Sequence, residues 1–349
     1  MRSLAGFFEQ GLSPSEVAEK IGSGENLSWK ESLEKTRKVF DPASEISKTE
    51  DLGIKILAFN DPAYPALLKE ISDPPLLLYC KGDLLESDQA AVAVVGSRHP
   101  SFYGIEQAKR FAKKLSESGL SVVSGFARGI DSASHEAALE VSGGRTIAVL
   151  GSGLDVVYPR ENRSLYERIL ERGFLLSEFS LGTPPLAENF PKRNRIIAGL
   201  SYGVLVVEAH TRSGSLITAH LAADEGREVF AIPGRIDQLG SGGSHRLIRE
   251  GALLVENPEE ILEVLAPQLW PLVKMPNQPV SSGSEHSGLS EEEKEFLKYF
   301  EDGNLTPDEA AQRGNLPIFL VRGLFTRLEL KRALRKRPDG RYECCGTPN

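Results

Sequence analysis

AVAVVGSR, residues 91–98, is an unbroken apolar run that stops at a glycine, a small hydroxyl and an arginine. A β-branched run without alternation reads as a parallel strand buried on both faces. A helical pattern follows over about residues 104–118. Strand, glycine turn and helix together aim backbone N–H groups and a helix N-terminus at an anion. Gly96 lets the backbone approach closely, Ser97 adds a small hydroxyl, and Arg98 supplies a fork of donors suited to a phosphate. The alternative for this turn, taken alone, is a tight connection carrying a solvated arginine.

Outward from this stretch, the chain alternates strand and helix as far as about residue 267. Strands are expected at 91–95, 121–124, 145–150, 174–178, 203–208, 228–232 and 252–255, with helical patterns such as YGIEQAKRFAKKLSESG and SLYERILERG between them. Repeated βα units of this length predict an α/β fold with a doubly wound, mostly parallel sheet. Such sheets bind ligands at the carboxyl ends of their strands, where strand order reverses. The loops at those ends share a composition. SGFARGIDSASH brings Gly125, Arg128 and Gly129, and EAHTRSGSLITAH brings Arg212, Ser213, Gly214 and Ser215. Glycine, serine and arginine recurring on one rim describe a surface that holds several phosphates through backbone donors and arginine forks.

FPKRNRIIAGLS concentrates the signal: Lys192, Arg193 and Arg195 crowd the start of a helix whose IIAGL portion is apolar. Cations oppose the helix dipole at an N-terminus, so this placement is locally unfavourable and points to an external anion. Phe190 either stacks on a nucleobase or acts as a core or staple residue. Asn194 either caps the helix or contacts a ligand.

The 349 residues exceed one ordinary domain, and a net charge of −8 restricts any nucleic-acid binding to a local basic patch. Cys80, Cys344 and Cys345 make neither a disulfide framework nor a zinc site. The first residues hold too short an apolar run for a signal peptide, and no window approaches a membrane span, so a cytoplasmic protein is expected. Familiar catalytic patterns fail. There is no Gly-Lys pair for a phosphate-binding lysine, and GSGLDV has Val156 where a dinucleotide fingerprint needs glycine. GLSYG matches a nucleophile elbow in letters, but a helix precedes it and a strand follows, the reverse of what the elbow needs.

The ordered set VVGSR, SGFARGIDSASH, FPKRNRIIAGLS, VVEA with RSGSLITA, VFAIPG and HRLIREGA resembles the bacterial DNA-processing protein A family, also called DprA or Smf. The resemblance is strong over roughly residues 53–265. It implies an extended Rossmann-like core that binds single-stranded DNA, protects incoming strands and loads the RecA recombinase onto them in natural transformation. It further implies a homodimer that needs no cofactor and is not an enzyme. His245 stands where the family usually has asparagine. The alternative from another class is a Rossmann-like nucleotide-processing enzyme of the phosphoribohydrolase type, whose PGGxGTxxE signature is not found in this sequence.

Four regions are expected: a small helical N-terminal module over 1–60, the core over 61–267, a Pro/Ser-rich linker over 268–288, and a winged-helix-like domain over 289–349. In the first, SPSEVAEKI and WKESLEKTRKVF are helical patterns and GIKILAF reads as extended, as does PPLLLYCKGD at the start of the core. In the last, Thr306 caps a helix with Pro307 at its first position, and residues 316–330 form a recognition-like helix. Lys331, Arg332, Arg335, Lys336 and Arg337 then either contact DNA or a partner, or form a solvated basic strip.

Overall fold

The computed structural model describes residues 41–269, 290–300, 303–331, 333–337 and 340–344. Helix α1 (Pro42–Asp51) opens it, with Asp41 as N-cap and proline at the first helical position. Strand β1 (Lys55–Ala58), the short α2 (Ala66–Lys69) and β2 (Leu77–Gly82) follow. Then come β3 (Ala91–Val95), α3 (Phe102–Glu117), β4 (Ser121–Ser124), α4 (Ile130–Glu140), β5 (Thr146–Val149), α5 (Arg163–Arg172) and β6 (Gly173–Ser177). The series ends with α6 (Asn189–Gly199), β7 (Gly203–Val206), α7 (Gly214–Asp224), β8 (Glu228–Ala231), α8 (Gly242–Arg249) and β9 (Leu253–Leu254).

The strands form one nine-stranded sheet in the order β1-β2-β6-β5-β4-β3-β7-β8-β9. β2 is antiparallel to β1 and β6, and every other pairing is parallel. β3 is buried along its whole length because helices cover both faces. On one face Ala91, Ala93 and Val95 share a core with Ile196 and Ile197 of α6 and Leu216 of α7. On the other, Ala148 and Leu175 share a core with Leu139 of α4 and with Leu165 and Ile169 of α5. A strand with apolar neighbours on both sides has no polar position to alternate with, hence the continuous run.

Two expected boundaries move. Lys55–Ala58 pairs with Cys80 back to Leu77, so the sheet begins inside the segment assigned to the N-terminal module. Period-two patterning explains this: Leu57 and Phe59 face one core while Ile54 and Ile56 face the other. At the far end, the described residues divide into two compact units between Val255 and Glu256, not at 267. Helix α9 (Pro258–Leu269) belongs to the second unit, where a Cβ on Gly323 would meet the Ala266 methyl group at 3.7 Å. The two helical patterns within residues 1–40 lie outside the described residues, as does the linker expected over 268–288 apart from its first two residues, which end α9.

The second unit continues with α10 (Glu291–Leu297), α11 (Pro307–Gly314), α12 (Ile318–Leu330) and an antiparallel pair, β10 (Leu334–Lys336) and β11 (Tyr342–Cys344). Reciprocal caps, Ser290 with Glu293 and Thr306 with Glu309, start α10 and α11. Phe296, Phe300, Val321, Leu324, Phe325 and Leu334 form its core. Among the described residues, no helix is long and apolar enough to cross a membrane.

His135 in α4 is fully buried. The Thr146 hydroxyl donates to the Val122 carbonyl at 2.6 Å, so it accepts from His135 Nδ1–H at 2.6 Å and leaves Nε2 without a partner. Burial pushes the ring down to about 3. An unfolded chain protonates this group near its ordinary value of about 6.5, so the unfolded state binds more protons below that pH. His135 therefore contributes stability that is lost as pH falls from 6.5 towards 3. We expect His135→Gln to flatten the acid limb by up to one proton, about 1.4 kcal/mol per pH unit, in urea unfolding between pH 7 and 4. Parallel limbs would contradict the assignment.

Candidate functional site

β3 lies between β4 and β7. The chain winds from β3 through β4 and β5 to β6 on one side, then returns to place β7, β8 and β9 on the other. The crevice opens at this reversal, beyond the strand ends. A cleft of about 620 Å³ occupies it, lined by the turn after β3, the start of α6 and the start of α7.

The turn itself does not offer its backbone to an outside anion in the expected way. Ser97 N–H donates to the Glu208 carbonyl at 2.7 Å, and the Ser97 carbonyl accepts from Ile130 N–H at 3.2 Å, next to Gly129. The Ser97 hydroxyl accepts from His99 N–H at 3.1 Å. The N-terminus of α3 is filled by the chain's own anion. Buried Glu208 accepts from Ser101 N–H at 3.1 Å and from the Ser101 hydroxyl. Its carboxylate sits where a side chain on Gly104 or Gly240 would collide, 2.4 Å from either Cβ position. A helix N-terminus favours negative charge, and here Glu208 supplies it.

The three cations of FPKRNR separate. Arg193 is 3% exposed. Its Nη1 donates to the carbonyls of Gly125, at 2.6 Å, and Val149. Gly125 is required there, because a Cβ would lie 2.7 Å from Asp131 Oδ2 and 2.8 Å from Arg193 Nη2. Burial pulls Arg193 down to about 10, against the attraction of Asp131 and with the repulsion of Arg98. Burial pushes the Asp131 carboxyl up, with Arg193 and the Ala127 N–H opposing it. Arg195 grips both oxygens of Glu178 at 2.9 and 2.6 Å and also reaches Asp73. These two arginines are therefore framework, correcting the expectation that all three cations await an external anion. Arg128, on the exposed rim, pairs with Glu161.

The remaining cations face open space. Arg98 is exposed, and its guanidinium lies over the Phe190 ring, 4.9 Å from the centroid. Phe190 is half-buried, with Tyr158 tilted against it at 6.0 Å. Lys192 and Arg212 are exposed and make no ion pair among the described residues. Ser213 caps α7 and its hydroxyl lies 2.8 Å from that of Ser215, while Gly214 faces open space. Asn194 is mostly buried and donates from Nδ2 to the Gly214 carbonyl at 3.3 Å, joining the two helix starts. A groove with unpaired cations, an aromatic face and a helix N-terminus has the chemistry that suits a polyanion carrying flat rings.

Residues 55–266 match the profile of the DNA recombination-mediator protein A family. The chain belongs to that family. Protein Smf of Escherichia coli is 44% identical over 280 residues, which cover 79% of this chain and 74% of that protein. DNA processing protein DprA of Streptococcus pneumoniae is 51% identical over 202 residues, 58% of this chain and 71% of that one. The X-ray structure of the Streptococcus pneumoniae DprA is similar at a TM-score of 0.65 and 43% identity, over 74% of this chain and 90% of that chain. A structure of DNA processing protein A from Helicobacter pylori, described for its single-stranded DNA binding mode, gives a TM-score of 0.55 at 31% identity, over 62% and 96%.

Within this recombination-mediator fold, no local sequence pattern assigns a role to Asp131, Tyr158 or Glu208. Only the presence of a buried arginine makes Asp131 necessary, and nothing local signals that. Arg212, named with the Ser213–Gly214–Ser215 loop, is exposed at the mouth of the cleft. His245 turns Nε2 towards both the carbonyl of Gly234, at 2.9 Å, and its N–H, at 3.3 Å; an asparagine amide has a donor and an acceptor for the same two groups. In the second unit the expected basic strip is largely neutralised. Lys331 pairs with Glu293, and Arg335 and Arg337 share Glu343. Lys336 is exposed, and Arg332 lies outside the described residues.

Removing one member of a buried pair leaves the other charge uncompensated. We expect Arg193→Met to lower the unfolding free energy by about 3–5 kcal/mol, read by urea titration. Arg98→Ala, by contrast, should leave that titration unchanged. Equal effects would contradict the separation of framework from surface arginines.

Proposed function

We propose that this chain binds single-stranded DNA in the cleft at the end of β3 and acts in the cytoplasm as a recombination mediator. In natural transformation it protects incoming strands and loads RecA onto them. One observation carries the reading: Arg98 stacked on Phe190 at the mouth of a cleft that also holds Lys192 and Arg212. Arg98, Lys192 and Arg212 take phosphates, and Phe190 with Tyr158 offers a face to a base. Ser213, Gly214 and Ser215 present the start of α7 to a further phosphate oxygen. Gly96, Ser97, Gly125, Gly129, Arg193, Asn194 and Arg195 shape the cleft beneath the strand, and Arg128 stands at its rim.

Family membership supports this reading, as does the Helicobacter pylori relative described as binding single-stranded DNA. The mediator works by binding and holding, without catalysis. Glu208 argues against the nucleotide-processing alternative, because it fills the helix N-terminus where a Rossmann-like fold receives nucleotide phosphates. A homodimer is part of the proposal. β9 pairs on one side with β8, ends the sheet, and exposes Leu253 and Leu254, and such an edge is a template for a second chain.

We expect Arg98→Ala to weaken oligothymidine binding roughly ten- to a hundredfold, about 1.5–3 kcal/mol, with the circular dichroism spectrum unchanged. Fluorescence anisotropy measures this. Unaltered affinity would overturn the assignment of Arg98, and release of free base from nucleoside monophosphates would favour the enzymatic alternative.

A further inference from the structure

Helix α3 leaves the same turn that carries Arg98, and its solvent face has no role in the cleft. Phe102, its first residue, is 82% exposed. The loop after β8 holds Ile236 at 95% and Leu239 at 84% exposure. The Tyr103 hydroxyl donates to the Pro233 carbonyl at 3.3 Å, which ties this loop to the start of α3. Single exposed apolar residues are ordinary, but a cluster of large ones marks a contact surface. Further along the helix, Lys109, Arg110 and Lys113 are exposed. Phe102, Lys109 and Lys113 stand seven and four residues apart, which places them on one side of the helix. Neither Lys109 nor Lys113 meets a carboxylate among the described residues.

We propose that the DNA strand continues from the cleft over Phe102 and along α3, so that this helix is a second, non-catalytic segment of the single-strand path. The inference rests on the cleft being a single-strand site. Two arguments select the continuing strand as the occupant. The first is continuity: only His99, Pro100 and Ser101 separate Arg98 from Phe102, and His99 is itself exposed. The second is charge: α3 carries Lys109, Arg110, Lys113 and Lys114 against Glu106 and Glu117, in a chain of net charge −8. An exposed ring followed by cations matches unstacked bases followed by phosphates, whereas an acidic or purely apolar partner would use half of the surface. The 16 residues of α3 span about 24 Å, long enough for roughly seven stacked nucleotides.

Length dependence provides the test. Affinities of the full chain are measured for oligothymidines of about six and about twenty-five nucleotides, with Lys109→Ala/Lys113→Ala, Phe102→Ser and Arg98→Ala beside the unaltered protein. We expect the double lysine variant and Phe102→Ser to bind the short strand normally and the long strand several-fold more weakly. The double variant should also make the long-strand salt slope shallower by about 1.4. Unchanged long-strand binding in both variants overturns the path, as does equal weakening on short and long strands. If Phe102→Ser alters the protein's mass in solution but not DNA affinity, the patch is a protein interface and the proposal fails. Arg98→Ala separates the two claims. If it weakens both strands while the α3 variants do nothing, only the path is wrong; if it weakens neither, the cleft itself is wrong.

Discussion

One buried guanidinium holds the floor of the cleft in place. Arg193 comes from the second turn of α6, donates to carbonyls beyond β4 and at the end of β5, and is held opposite Asp131 of α4. A charge taken so far out of water is tolerated only when its donors and its countercharge are satisfied. Gly125 must lack a side chain to admit it. Fixing α6 here also fixes Phe190, whose centroid is 5.9 Å from the Arg193 guanidinium carbon and 4.9 Å from that of Arg98. The two arginines divide the work. One is locked beneath the ring, and the other lies over it in solvent.

Glu208 imposes the second constraint. Its backbone carbonyl accepts from the turn after β3, and its carboxylate fills the N-terminus of α3. A fold that commonly receives a nucleotide at this point instead carries its own anion there. In the proposed complex, charge recognition moves outward, to side chains on the rim and to the open start of α7.

The sheet was legible because physics leaves parallel strands little choice. Val92 and Val94, buried by helices on both sides, had to come from an uninterrupted apolar run. Thr306 and Pro307 were legible for a local reason, since a cap acts within one turn. In the cation cluster, local pattern shows the crowding of charge but not its partners. What decides the role of Arg195 is Glu178 together with Asp73, which is 122 residues away in sequence. The partners of Arg193 are similarly distant, at Gly125 and Val149. Local pattern identifies an unfavourable placement of charge, and only the tertiary structure shows whether the compensating group belongs to the chain or to a ligand. β1 was read as extended but assigned to the wrong region, because an edge strand's short alternation carries little information about which sheet it joins.

In the proposed complex three side chains, Arg98, Lys192 and Arg212, meet phosphates while Arg128, Arg193 and Arg195 do not. The salt dependence of binding to an oligothymidine of about six nucleotides counts those contacts most directly. Three contacts predict a log–log slope of about −2. A slope of about −3.5 or steeper would place the paired and buried arginines on the DNA and contradict the account, and so would a flat response.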